Sequence, residues 1–265
     1  MTGSLTHVGT ATTLLSYAGI TVLTDPNFLH RGQRAYLGKG LWSRRRTEPA
    51  MQPADLPPLD AVVLSHLHGD HFDRVARREL DRSLPLLTTR PAARRLRRQG
   101  FAEAVALDTW RSHEVVKGGA RLRVTAVPGV HARGPLRAAL PEVMGSVLEF
   151  SAPGEPDLSV YVTGDTLLVD ALREVPRRYP DLDLGLWHLG GTRIPFGRGA
   201  LVTMDAAMGA DLLELVHPRR TVPIHNDDYG VFTSPRNAFL AEATRRALPG
   251  VRAVDTGERV ALPLE

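Results

Sequence analysis

Residues 60–75 read DAVVLSHLHGDHFDRV. The run from Asp60 to Ser65 is compact and apolar, as expected of a buried strand. From Phe72 onward, FDRVARRELDRSL has helical spacing. Between them lies SHLHGDHFD (65–73), with three histidines and two aspartates in nine positions. In extended chain, residues i and i+2 point the same way, so the imidazoles of His66 and His68 can reach one metal. Gly69 lets the chain turn tightly. Asp70 and His71 then point elsewhere, toward a second position. The bland alternative is a polar strand-to-helix loop capped by Asp70 or Asp73.

Composition narrows the chemistry. The chain has 265 residues, room for one large core, and no cysteine. Any metal must therefore use nitrogen and oxygen ligands, a set that suits zinc, manganese, iron or nickel. No apolar run approaches the roughly 20 residues of a membrane span. MTGSLTHVGTATTLL lacks the pattern of a signal peptide, so the expected location is cytoplasmic. The net charge is +4, carried almost wholly by arginine, with Lys39 and Lys117 the only lysines. Such a surface is mildly receptive to anions.

Elsewhere β patterns precede and then alternate with α patterns. Residues 4–24 read as short strands, with a hairpin at Ala18-Gly19. Residues 26–58 are irregular. PLLTT (85–89) reads as a strand, and RPAARRLRRQG as a basic helix with a solvated face. Strands are expected at 121–128, 143–151, 158–165, 184–191 and 220–227. Thr203 is expected to cap the helix in MDAAMGADLLELVH, and Ser234-Pro235 to open the last helix, to about Leu248. VRAVD and RVALP read as closing strands. AVVLSHLHGDHFDRV and VYVTGDTLLVDAL share a strand–loop–helix plan. The expected fold is thus α/β, a single domain over 1–265 made of two similar halves, about 1–125 and 126–265. The halves pack sheet on sheet with helices outside.

The motif resembles the signature of the metallo-β-lactamase superfamily. LTHVGTATTLLSYAGITVLTDP resembles its opening strands, TAVPGVHARGP the strand and loop that deliver a third histidine, YVTGDT the end of a strand bearing a carboxylate, and VPIHNDDYGVF the segment with the last ligand. These matches span nearly the whole chain in order. Within the superfamily the chain resembles the branch containing the ascorbate-phosphate lactonase and N-acylphosphatidylethanolamine phospholipase D. The resemblance implies an αββα sandwich with two divalent metal ions at one edge, zinc foremost, with manganese or iron as alternatives. It assigns His66, His68 and His131 to one metal, Asp70, His71 and His225 to the other, and Asp165 as the bridge. It departs after His131, where Ala132 and Arg133 stand before Gly134-Pro135, so substrate identity does not transfer.

Two metals held about 3.5–4 Å apart bind a bridging water and lower its pKa, giving hydroxide near neutral pH. The expected function is therefore hydrolysis of a small or medium-sized ester, lactone or phosphodiester. The alternative is a phosphodiesterase or nuclease acting on RNA or a phospholipid-like substrate. Asp70 is expected as a ligand and, where poorly coordinated, a proton acceptor. His188, in GLWHLGGT, is expected to donate a proton to the leaving group or to bind a substrate anion. Asp25 reads either as a partner of a ligand histidine or as a turn-initiating Asp-Pro. His7 and His113 are weaker candidates for the pocket, and His30 and His217 read as surface residues. Tyr229 and Phe232 read equally as pocket wall or as packing. Residues 28–46 read as a lid or as a loop covering a sheet edge. The expected partner is a small, anionic molecule. No nucleic acid is expected, and a homo-oligomer stays open.

Overall fold

The computed structural model describes residues 3–194 and 199–264. In chain order the strands begin with β1 (Gly3–Gly9), β2 (Thr12–Tyr17) and β3 (Ile20–Thr24), then a small hairpin of β4 (Arg34–Tyr36) and β5 (Trp42–Arg44). Next come β6 (Ala61–Val63), α1 (Arg74–Glu79), β7 (Leu86–Thr88), α2 (Arg90–Arg98) and β8 (Ala104–Ala106). The second half holds β9 (Ser112–Lys117), β10 (Ala120–Pro128), β11 (Met144–Ser151), β12 (Leu158–Val162), α3 (Glu174–Arg178) and β13 (Leu184–His188). It ends with α4 (Ala206–Val216), β14 (Arg220–Ile224), α5 (Arg236–Arg245) and β15 (Arg259–Leu262).

Two large sheets result, with orders β15-β1-β2-β3-β6-β7-β8 and β14-β13-β12-β11-β10-β9. Each is antiparallel where hairpins connect neighbours and parallel where helices cross over, and β3 and β6 also pair in parallel across the connection that carries β4 and β5. Tyr17 pairs with Ile20 across Ala18 and Gly19, both with positive φ, the geometry a two-residue hairpin needs. The sheets change over between β8 and β9, upstream of the expected divide near 125, which falls inside β10. β15 returns to pair with β1, so the chain's last strand completes the first sheet.

Strand alternation builds the layers. In β6, Ala61 and Val63 face the other sheet, while Val62 and the following Leu64 face the outer core with Val75, Ala76 and Leu96. In β12 and β13, Val160, Val162, Leu184 and Leu186 face inward, and Tyr161 and Trp187 pack outward with Leu212, Leu213 and Phe239. Strands covered on both faces must be apolar on both, which is why these segments read as unbroken hydrophobic runs. The order of layers is helix, sheet, sheet, helix, the expected αββα sandwich.

Local elements differ from expectation in places. α1 ends at Glu79 because Leu80 is already extended; Asp73 caps its start by accepting from Ala76 N. Asp205, not Thr203, caps α4, accepting from Met208 N. VRAVD forms no strand; only Val251 bridges to Thr221. Among the described residues, no helix is long and apolar enough to cross a membrane.

Candidate metal centre

The parallel strands end at the same edge of the sandwich, and the chain just beyond them carries the polar residues. β6 leads through Ser65 to His66, β12 to Asp165 and β14 to His225. Gly164 precedes Asp165 because any Cβ there would lie 2.7 Å from Met144 O and 2.9 Å from Ser65 Cβ. Gly69 is equally constrained: its N–H donates to Tyr36 O at 2.9 Å, and an added Cβ would lie 2.7 Å from Tyr36 N. The turn after His68 is closed by its own carbonyl, which accepts from His71 N and Phe72 N.

The ring nitrogens converge in two groups. His66 Nε2 lies 3.0 Å from His68 Nδ1, which lies 3.2 Å from His131 Nε2. Donors on one tetrahedral zinc with bonds of about 2.0–2.1 Å stand roughly 3.3 Å apart, so this spacing suits a shared ion. The second group holds Asp70, His71 and His225, with His225 Nε2 3.4 Å and His71 Nε2 4.0 Å from Asp70 Oδ2. Asp165 stands between the groups. Its Oδ1 is 3.3 Å from His225 Nδ1, its Oδ2 is 3.4 Å from His71 Nε2, and His66 completes a third cluster with it.

Outer partners fix which nitrogens face inward. His131 Nδ1 donates to Val202 O at 2.6 Å, because a carbonyl can only accept, and this leaves the Nε2 lone pair for a metal. Asp25 does the same for His71: its Oδ2 lies 3.3 Å from Nδ1, so Nε2 points at the carboxylates. Asp25 Oδ1 in turn accepts from Ser65 N at 2.7 Å and Ser65 Oγ at 2.9 Å. Ser65 Oγ also meets His66 Nδ1 at 3.0 Å.

Whether a metal fits can be judged from unpartnered atoms. Asp70 Oδ1, His71 Nε2, Asp165 Oδ1 and His225 Nδ1 are all buried without a hydrogen bond. Such orphans cost about 1–3 kcal/mol each in a finished fold. Here they face one another, which is what a bound cation would satisfy. Burial, with help from the neighbouring imidazoles, holds His68 down to about 3 and pushes His66 well below the usual range, so both present lone pairs rather than protons. Burial also lowers His131. Around His71, burial is outweighed by Asp165, Asp25 and Asp70, which raise it well above its usual value. That cluster of carboxylates calls for positive charge, whether proton or metal. A further group, Asp25, His71 and His188, is close enough to hold an ion, but its facing atoms already satisfy one another.

The model for a beta-lactamase superfamily domain matches residues 21–226. The chain belongs to this superfamily. It is 31% identical over 215 residues to a UPF0173 metal-dependent hydrolase of Anaeromyxobacter sp. (strain K), covering 78% of this chain and 72% of that one. It is 30% identical over 189 residues to UPF0173 protein YddR of Bacillus subtilis, covering 68% and 69%. At greater distance it is 28% identical over 239 residues to N-acyl-phosphatidylethanolamine-hydrolyzing phospholipase D 1 of Caenorhabditis elegans, 86% of this chain and 65% of that one. Its fold matches a possible metal-dependent hydrolase from Veillonella parvula, with a TM-score of 0.82 at 22% identity, covering 99% and 100%.

In this superfamily chain the seven residues expected as ligands come together. His188 sits directly behind them. It is fully buried behind His71, stacked on it with ring centroids 5.8 Å apart, and its nitrogens face Thr163 Oγ1 at 3.2 Å and Asp25 Oδ2 at 3.3 Å. Like His66, His71 and His225, it lies behind the residues that line the small cavity. Its contact with Asp25 joins it to the partner of His71. Tyr229 and Phe232 are packing residues: Tyr229 OH donates to Asn27 Oδ1, and the Phe232 ring lies 4.3 Å from that of His225. His7 bonds near Thr10 O, His113 pairs in an edge strand, His30 meets Glu48 on the surface, and His217 caps α4.

Thr203 and Val202 were missed as site residues. Thr203 Oγ1 donates to Asp165 Oδ2 at 2.9 Å, next to the carbonyl that holds His131. Only the adjacency of "VT" to a helix start marked them in the sequence, and that signal suggested a cap. The tip of the β4–β5 hairpin roofs the site, and a Cβ on Gly38 would lie 3.6 Å from His68 Nε2. Beneath it a cavity of about 20 Å³ opens on His68, Asp70, His131 and Asp165. Its walls are Leu37, Leu41, Leu140, Ile194 and Val202, with Lys39 the cation at its rim.

Proposed function

We propose that this metal-dependent hydrolase of the β-lactamase superfamily holds two divalent ions and cleaves a small or medium-sized ester, lactone or phosphodiester. One observation carries the reading: seven donors lie in two triads with Asp165 between them, and buried orphan atoms are turned inward. His66, His68 and His131 would hold one ion, Asp70, His71 and His225 the other, and Asp165 both. With no cysteine in the chain, nitrogen and oxygen donors favour zinc, with manganese or iron as alternatives. When bound, such a pair activates a water near neutral pH and polarises the oxygen of the scissile group.

The chain's own residues supply the rest. Asp70 is a ligand first, and its Oδ1 would accept a proton during attack only where the ion leaves that oxygen uncoordinated. His188 acts through Asp25, fixing the carboxylate that orients His71. The apolar walls exclude bulk water and favour a compact apolar acyl or alkyl group, and Lys39 favours an anionic one. The cavity holds about one water, so a substrate must displace the hairpin tip to enter. A phosphodiester with a lipid-like body is the second reading, favoured by the similarity to the nematode phospholipase D.

The test is protein purified without chelator, assayed for metal and then against lactones, acyl esters and phosphodiesters. The expected result is about two equivalents of metal per chain and a kcat/KM in one class far above the others. Folded, metal-free protein that turns over substrate would overturn the proposal, as would a single equivalent at saturation.

A further inference from the structure

The β4–β5 hairpin borders a second concavity of about 360 Å³, which meets the metal cavity at His68 and runs from there along α1 and α2. That volume is within the range of small-molecule sites. Its floor is apolar, with Phe72 buried and Leu67 half-buried. Its wall carries two large aromatics, Tyr36 and Trp42, that are 44% and 56% exposed and whose ring centroids are 4.8 Å apart. Only one other large hydrophobic side chain among the described residues is so exposed.

Arginines surround this floor. Arg34 comes from the hairpin, Arg74 and Arg77 from α1, and Arg95 from α2, and all four are exposed. Among the described residues none of the four forms an ion pair, whereas Arg90, Arg121, Arg177, Arg245 and Arg246 all do. The one carboxylate lining the concavity, Asp73, is buried and accepts from the backbone amides of Phe28, Leu29 and Ala76. The site therefore pairs an apolar, aromatic surface with unneutralised guanidinium groups, each able to grip a carboxylate or phosphate through two N–H bonds. Arg74 is partly set in place, its Nη1 donating to Arg34 O at 3.3 Å.

We propose that this concavity binds a small amphipathic anion, an alkyl or aryl body carrying a phosphate-like or carboxylate head. The body lies on Trp42, Tyr36 and Phe72, and the head meets Arg74 and Arg77. The hydrolytic reading is not needed for this, and no turnover enters its test.

The probes are octylphosphonate and octanoate below their micelle concentrations, with inorganic phosphate and octanol as controls, titrated into the metal-loaded protein. Binding is read by calorimetry and by tryptophan emission. Of the three tryptophans, Trp187 is fully buried and Trp110 packs under Arg178 outside this concavity, so the emission change on binding belongs chiefly to Trp42 and disappears in Trp42→Leu. At least one amphiphile is expected to bind ten or more times tighter than either control. The phosphonate and octanoate arms distinguish the two kinds of head. Arg74→Gln with Arg77→Gln should weaken that amphiphile at least tenfold and leave octanol unchanged; Arg95→Gln gives an independent check from another helix. Equal binding of inorganic phosphate, no loss in the arginine variants, or binding seen only with anionic phosphatidylglycerol vesicles would each overturn the proposal.

Discussion

Asp25→Asn isolates the hydrogen bonds behind the proposed second metal position. The substitution keeps size and shape but replaces a charged acceptor with an amide. Asp25 is buried, and although burial opposes its charge, His71 and His188 hold its carboxyl down to about 2. Against an ordinary value of 3.8, that preference for the charged form is about 2 kcal/mol, or roughly 60-fold in an equilibrium. Because the folded pKa is depressed, this contribution is complete above about pH 4 and is lost as pH falls through 2. Asparagine keeps an acceptor for Ser65 but turns N–H groups toward His71 Nδ1 and His188 Nε2. The Nδ1 proton then loses its partner, and Nε2 is no longer held as the free lone pair. Partners of this kind are worth about 10–100-fold in metal affinity. Competition with a chromophoric chelator at pH 7 should therefore show one of two metals bound about 10–100-fold more weakly, with the other within about threefold. In urea, the metal-free variant should lose about 2 kcal/mol. Unchanged affinity at both positions would refute the orienting role of Asp25 and, with it, that of His188.

Three further outcomes are expected. His66→Ala combined with His68→Ala should remove one metal equivalent and abolish turnover while circular dichroism stays native; full activity would remove both from the site. Chelation of both metals should lower Tm by about 10 °C, since each ion present at 100 times its Kd adds about 2.7 kcal/mol and about 2 °C per kcal/mol is expected at this length; a shift under 2 °C would mean the ligands do not bind in the folded chain. Gly69→Ala places a Cβ 2.7 Å from Tyr36 N, so it should cost about 1–3 kcal/mol and speed tryptic cleavage at Lys39; an unchanged digestion rate would show that the hairpin does not rest on Gly69.

Much of the candidate site was legible because its proposed ligands follow strand ends. His66, His68, Asp70 and His71 share one turn, and Asp165 and His225 each follow a buried apolar run. His131 was legible only through resemblance, since a lone histidine in a loop of Gly, Pro and Arg has no local signature. The role of His188 was less legible for a physical reason. It also ends a strand facing the metals, but sequence cannot show that Thr163 and Asp25 would occupy its two nitrogens. Thr203 looked like a cap because Ser and Thr before a helix usually are, yet Asp205 takes that place and frees the hydroxyl for Asp165. The hairpin of β4 and β5 went unseen because three-residue strands with exposed aromatics lack the alternation that marks a buried sheet.

Each triad draws from both sheets. His66 and His68 follow β6 of the first, and His131 follows β10 of the second; Asp70 and His71 come from the first, and His225 from the second. Bound ions would thus be cross-links between halves that otherwise meet through an apolar interface. Asp25, after β3, and His188, at the end of β13, make the same crossing behind His71 by a hydrogen bond. An apolar pair there would pack as well, but it would leave His71 free to turn Nε2 away from Asp165. The buried polar pair therefore serves orientation more than stability. On that argument a pair retained for geometry can lower metal affinity when broken even in a protein whose fold survives, which is the pattern expected of Asp25→Asn.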